Sequence, residues 1–258
     1  MGHNTILWAV FVPVIGAFAL PIIGRLSNTL RNYSAFILLA ISFVLSLTLV
    51  RPVLTGPINA GVALSGPFNM LFHADPLAVF MALTSSFIGL VIILYSFEYI
   101  SHYENQNEYY VMVVLFLGSM MGIIYASNLI FLYIFWELTA ISSWRLIGFF
   151  RKENDVIRAN KAFLVTFFGS VVMLIGFIMI YSQTGSFDLG VCKEYFKANH
   201  LPNIVVLLIL AGILSKSATL PFQTWLPDAG VAPSPVTALL HAAVLVKIGV
   251  YVFARLFV

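Results

Sequence analysis

The chain has 258 residues, 61% hydrophobic and 9% charged, with a formal net charge of +3 and a mean hydropathy of +1.00. That composition excludes a water-soluble globular domain, and so small a charge is no nucleic-acid-binding signature. Lone Cys192 excludes an internal disulfide and a cysteine-bound metal cluster, so neither cofactor nor metal is expected in this chain.

The hydropathy pattern predicts eight helical spans, near 5–24, 33–52, 76–97, 109–126, 128–149, 161–181, 203–220 and 235–257. Each suits a hydrocarbon core of about 30 Å, which takes roughly 20 helical residues. No segment alternates in polarity as a barrel strand would, and lipid offers no partner to unpaired backbone groups. The expected class is therefore all-α: a polytopic transmembrane helix bundle. Met1-Gly2-His3-Asn4 lacks the basic flank of a signal peptide, so the first span is expected to stay in the mature protein. Gly56-Pro57 and Gly66-Pro67 predict a small hairpin on the outer face. Asp75-Pro76 reads as the N-cap and first residue of the third helix. Residues 1–108 then hold three spans and the hairpin loop. Only Ser127-Asn128 separates the fourth and fifth spans, which demands a tight turn, and residues 182–202 read as a polar, partly amphipathic spacer. Arg25, Arg31, Arg151, Lys152, Arg158 and Lys161 fall on one side of such a bundle, and Arg51, Lys193, Lys197 and Arg255 on the other. Six basic residues against four, under the positive-inside rule, place both termini outside.

Four charged residues interrupt the predicted spans: Glu137, Arg145, Lys216 and Lys247. Ionisable groups at that depth are costly and usually face a partner or a water-filled path. Glu137 lies about mid-span. Arg145, eight residues on, is about 80° round the helix and roughly 12 Å along it, so it does not stack over Glu137. Near the inner boundary it reads as a snorkelling or helix-locking arginine, able to tune a path but not to carry a proton. Lys216 stands five residues before Pro221, which is expected to interrupt the seventh helix and free the Ser217 carbonyl; Pro227, Pro233 and Pro235 continue the disruption. Broken helices at membrane depth line cavities and ion sites. Ser234-Pro235 is expected to restart the helix as N-cap and first residue. His241 and Lys247 are six residues apart, about 120° round and about 9 Å along, so a proton passing between them requires water or a locally widened turn. A carboxylate, two lysines and a histidine so placed predict a proton relay.

Three stretches carry a more specific likeness. They are Phe135-Trp-Glu-Leu-Thr, Lys216-Ser-Ala-Thr-Leu-Pro-Phe-Gln-Thr-Trp-Leu-Pro-Asp-Ala and Ala232-Pro-Ser-Pro-Val-Thr-Ala-Leu-Leu-His-Ala-Ala-Val-Leu-Val-Lys-Ile-Gly-Val-Tyr. From about residue 70 onward the chain resembles the antiporter-like, proton-translocating subunits shared by respiratory complex I, Mrp-type cation/proton antiporters and membrane-bound energy-converting hydrogenases. The wording of the third stretch is most similar to the large Mrp-type and hydrogenase-type subunits. The resemblance implies that residues 109–258 form one five-helix transporter repeat with a broken seventh helix. It implies that Glu137 pairs with Lys216 and shifts its proton affinity, and that His241 and Lys247 hand protons toward the centre of the subunit. Arg145 and Asp228 become candidate tuning residues.

The implied function is proton or sodium translocation within a membrane-bound redox complex; the alternatives are a Mrp-type antiporter subunit or a non-pumping scaffold. No redox chemistry of its own is expected, since no cysteine cluster, nucleotide loop or haem-type histidine pair is present. Family members carry two inverted repeats in about fourteen helices, and the second repeat is missing from these 258 residues. The implied partners are other membrane subunits, among them a chain or segment supplying the second half-channel, together with peripheral iron–sulfur or hydrogenase-like subunits and the lipid bilayer, but no nucleic acid. The expected location is the plasma membrane of a prokaryote.

Overall fold

A computed structural model describes residues 2–62 and 68–258, apart from the side chains of residues 2, 3, 242 and 243. Its first helices are α1 (Gly2–Leu26) and α2 (Asn28–Thr48), with Ser27 as the N-cap between them, accepting from the Leu30 amide at 3.4 Å. A short α3 (Val50–Thr55) follows, then an antiparallel hairpin of β1 (Ile58–Val62) and β2 (Met70–Ala74), in register Ile58 opposite Ala74. The predicted hairpin is present; Gly66-Pro67 lies outside the described residues. Phe72 points inward from β2 and meets Phe11 and Phe135 at ring separations of 6.0 and 6.4 Å. The helix α4 (Pro76–Tyr99) opens as expected, with Asp75 accepting from the Ala78 amide at 2.8 Å and proline inside the first turn.

The helix α5 (Gln106–Tyr125) is the centre of the molecule: from Tyr109 to Tyr125 every residue but Met112 is buried. A helix surrounded on all sides has no polar face to show, which is why this segment is apolar all round. The tight turn to α6 (Leu129–Ile147) is capped by Asn128, which accepts from the Ile130 amide at 2.9 Å. That turn is braced from two directions, by the Leu71 carbonyl to the Ser127 amide and by bonds exchanged with Phe187 and Leu189. The long α7 (Glu153–Thr184) ends at Gly185, whose φ of 67° is the left-handed conformation that a helix C-cap favours in glycine. The region read as a spacer contains α8 (Leu189–Ala198), capped by Asp188.

Among the described residues, seven helices are long and apolar enough to cross a membrane. The seventh predicted span, 203–220, is α9 (Asn203–Lys216), which is shorter because it stops at Lys216 rather than near residue 220. Outward-facing Ile15, Phe18, Ile22, Phe80, Phe87, Leu164 and Phe168 give the bundle an apolar exterior suited to lipid. Inside, small residues bring helices together. A Cβ on Gly169 would meet Ser215, one on Gly212 would meet Met173, and one on Gly249 would meet Ser217. These contacts clamp α9 between α7 and the last helix, and so set the position of its C-terminal lysine.

Candidate functional site

The end of α9 is built by its own backbone. Ala218 takes a left-handed φ of 51°. The Thr219 amide then reaches back to the Leu214 carbonyl at 3.0 Å and the Ala218 amide to Ser215 at 3.4 Å. This 6→1 and 5→2 pair is a Schellman cap, formed with alanine where glycine is usual. The expected site of interruption therefore moves: the helix closes at Lys216, five residues before Pro221, and Pro227 sits inside the single turn of α10 (Trp225–Asp228). The exposed carbonyls have a further partner. Trp225, buried to 1% exposure, donates its indole N–H to the Ser215 carbonyl at 2.8 Å. From the sequence, Trp225 reads only as a packing or interface anchor; its spacing from Ser215 carries no signal of the bond.

Lys216 is the last helical residue of α9 and is 1% exposed. A cation is favoured there by the negative end of the helix dipole. Its ammonium donates to the Trp136 carbonyl at 3.1 Å and lies 5.4 Å from the centroid of the Trp136 ring. Glu137 is the next residue on α6, and its charge acts on Lys216. No ion pair within 4.0 Å joins the two among the described residues, and the buried Oε1 of Glu137 has no hydrogen-bond partner. Tyr133, one turn earlier, neighbours both Glu137 and Ser170 of α7. The carboxylate and the ammonium thus share one interior without touching.

The chain resumes at α11 (Ser234–Thr237), runs through a π-helical turn over Ala238–Ala243 and continues as α12 (Leu245–Phe257). Ser234 is the first helical residue rather than the cap, and its hydroxyl bonds that of Tyr99 at 3.5 Å. The π turn is a locally widened geometry, one of the two alternatives, with water, that the six-residue spacing left open. Through it the Lys247 ammonium reaches the His241 carbonyl at 3.0 Å. The His241 Nε2 is buried without a partner, whereas Lys247 is exposed on the surface of this chain.

Arg145 and Asp228 stand apart from these groups. Arg145 pairs with Glu108 at the start of α5, as does Arg151, and it lies 5.4 Å from the Trp144 ring. This fits the helix-locking reading of Arg145; its partner Glu108 escapes a sequence reading because acidic residues contribute little to the orientation rule. Asp228 pairs with Lys161 of α7 at 2.6 Å. Arg31, one of the loop charges in the orientation count, is buried to 1% exposure. It is held by Asn28, Asn32, Gln106 and Asn107 at 2.6–3.1 Å.

Residues 126–258, which contain Glu137, Lys216, His241 and Lys247, match the family described as NADH:quinone oxidoreductase/Mrp antiporter, TM. The chain belongs to this family. Residues 64–110 match the N-terminus of chain 5 of NADH-ubiquinone oxidoreductase, complex I. Among curated relatives, a Na(+)/H(+) antiporter subunit of Alkalihalophilus pseudofirmus is 35% identical over 260 residues, covering 96% of this chain and 32% of that protein. Its counterpart in Staphylococcus aureus is also 35% identical, with the same coverage. The chain thus spans about a third of the length of the relatives it matches. Of solved structures, the Mrp complex from Dietzia sp. DQ12-45-1b aligns with a TM-score of 0.86 and 30% identity, over 98% of this chain and 28% of that one. The archaeal membrane-bound sulfane sulfur reductase aligns at 0.88 and 23% identity, over 97% of this chain and 52% of that one. At that identity the likeness speaks for the fold. Family membership and the apolar helices make this a multi-span membrane protein of the antiporter-like family.

Proposed function

We propose that this chain forms an ion-translocating half-channel, in which Glu137 and Lys216 exchange protons through the bundle interior and His241 and Lys247 pass them onward. The observation that carries this reading is Lys216, a buried ammonium at the end of a broken helix, held by a carbonyl while the nearest carboxylate stays out of contact. A group in this position can move toward Glu137 or away from it without unfolding its helix. The sequence-level similarity to the Na(+)/H(+) antiporter relatives and to the Mrp structure favours a cation/proton antiporter setting. The other setting is a redox-driven respiratory complex with peripheral iron–sulfur subunits, for which the family resemblance is the ground; the sulfane sulfur reductase, a respiratory membrane complex, shares the fold. In either setting we propose that the chain works beside other membrane subunits and a further segment or chain that completes the path, in the plasma membrane of a prokaryote. The excess of Arg and Lys around residues 25–31 and 151–161 supports a cytoplasmic position for that face and an outer position for the N-terminus.

The test is transport by the complete complex in everted vesicles carrying Glu137→Gln or Lys216→Met. Loss of at least tenfold in cation-dependent proton movement, with the complex still assembled on native gels, is the expected outcome. Normal transport in both variants would leave a scaffold role instead. Mass spectrometry of the co-purified proteins separates the two settings: antiporter components alone mark the exchanger, and iron–sulfur proteins mark the redox complex.

A further inference from the structure

The segment from Ser217 to Pro233 carries the chain from the end of α9 to the restart of the helix, and two side-chain bonds tie it to the helices on either side. Trp225 donates to the Ser215 carbonyl of α9, and Asp228 accepts from the Lys161 ammonium of α7 at 2.6 Å. Both residues belong to α10, three positions apart, with about 4.5 Å of rise between them. One short turn of helix therefore bridges α7 and α9 beside the point where α9 stops.

The same two helices are also in direct contact, since a Cβ on Gly169 of α7 would meet the Ser215 side chain. Gly169 lies eight residues beyond Lys161, about 12 Å along the helix. The contacts thus close on themselves: from Ser215 to Gly169, along α7 to Lys161, across to Asp228, and through Trp225 back to Ser215. Lys216 is the residue next to the corner of this circuit. Trp225 and Ala229 are buried, whereas the side chains of Lys161 and Asp228 are 47% and 29% exposed. The ion pair is therefore the least buried side of the circuit, and a modest one in strength.

We infer that Lys161 and Asp228 are positioning residues for Lys216, their ion pair holding α10 against α7 so that Trp225 keeps its bond to the Ser215 carbonyl. With the pair intact, the last turn of α9 stays closed and the Lys216 ammonium stays on the Trp136 carbonyl. With the pair broken, α10 moves off α7, the indole leaves Ser215 more often, and the end of α9 opens locally. Lys216 then becomes reachable from water without any change to its own side chain or to Glu137. The inference deepens the reading of Lys216 as an exchanging group, and rests on it for the effect on transport. Its effect on the burial of Lys216 can be measured separately.

The complete complex in everted vesicles would be treated with acetic anhydride, and the acetylation rate of Lys216 followed by mass spectrometry of its peptide. Asp228→Asn should raise that rate about threefold and slow cation-dependent proton movement by a similar factor, the scale that a partly exposed ion pair supports. Lys161→Arg, which keeps the pair, should match the unaltered complex in both measurements. An unchanged Lys216 rate in Asp228→Asn overturns the assignment. So does an equal rise in Arg151→Gln, which breaks another exposed ion pair and leaves α10 alone. Should Asp228→Asn fail to assemble, Lys161→Met alters the more exposed partner and is read in the same way. The two readings fail separately. Faster acetylation in Asp228→Asn, beside normal transport in Glu137→Gln and Lys216→Met, upholds the positioning pair and removes the relay. Unchanged acetylation beside lost transport in those two variants does the reverse.

Discussion

An ammonium taken fully out of water is expensive unless its donors are used and its charge is answered. Lys216 has one carbonyl bond and the face of an indole, with the C-terminal end of a helix beneath it. Those dipoles lower the cost without cancelling the charge, which leaves the lysine sensitive to what Glu137 does. Arg31 shows the contrasting solution. Its guanidinium bonds are all to amide oxygens of neighbouring side chains, so it is pinned in one geometry and has nothing left to exchange. Trp225 supports Lys216 from one residue away by engaging the Ser215 carbonyl. Trp225→Phe keeps most of the packing and removes that donor. A loss of about 1–3 kcal/mol is expected, read as a lower unfolding midpoint in detergent, together with slower transport.

At the scale of elements, the two interruptions of regular helix are solved differently, and both place a charged side chain. The cap on α9 uses Ala218 in a conformation that costs an L-residue about 1–2 kcal/mol. Ala218→Gly should relieve part of it and raise stability by about 0.5–1 kcal/mol, after the greater freedom of glycine in the unfolded chain is allowed for. A thermal melt of the purified complex checks this. The break can be located in the sequence to within a few residues from Pro221, Pro227, Pro233 and Pro235. The terminating contact is out of reach there, because alanine gives no hint that it will adopt a positive φ. The π turn is foreseen only as an alternative to bridging water: the six-residue gap between His241 and Lys247 is not closed by a regular helix, yet nothing in Ala238–Ala243 announces widening. Glu137 and Lys216 are each legible because charges stand out in apolar spans, and their pairing is implied only by the family resemblance; their separation is not legible, since it rests on which oxygen the ammonium meets.

Across the whole molecule, residues far apart in sequence tie the last helix, α12, to α4 and α5. Arg255 near the end of α12 pairs with Asp75 at the start of α4, and the Tyr251 hydroxyl donates to the Ile124 carbonyl at 2.5 Å. Burial pushes the Asp75 carboxyl up, but the Ala78 amide and then Arg255 outweigh it and hold the group below its ordinary value. A carboxyl lowered on folding contributes stability that is complete above its unfolded value and is lost as pH falls through the folded one. Asp75→Asn keeps the helix cap and removes the charge. The melting temperature of the unaltered protein should exceed that of the variant near neutrality, and the gap should close in acid below the usual carboxylate range. A gap independent of pH would mean that the pair adds nothing through its charge.

The self-sufficient end of α9 has a consequence for how this segment would tolerate change. Since hydrogen bonds among Leu214, Ser215, Ala218 and Thr219 stop the helix before any proline is reached, the proline is a signpost and not the barrier. A chain that had lost Pro221 would still turn at the same place. Pro221→Ala should therefore leave transport within about twofold and Lys216 as well shielded from amine-reactive reagents as before. Sharply increased labelling would show that the ring, and not the backbone, holds the gap open.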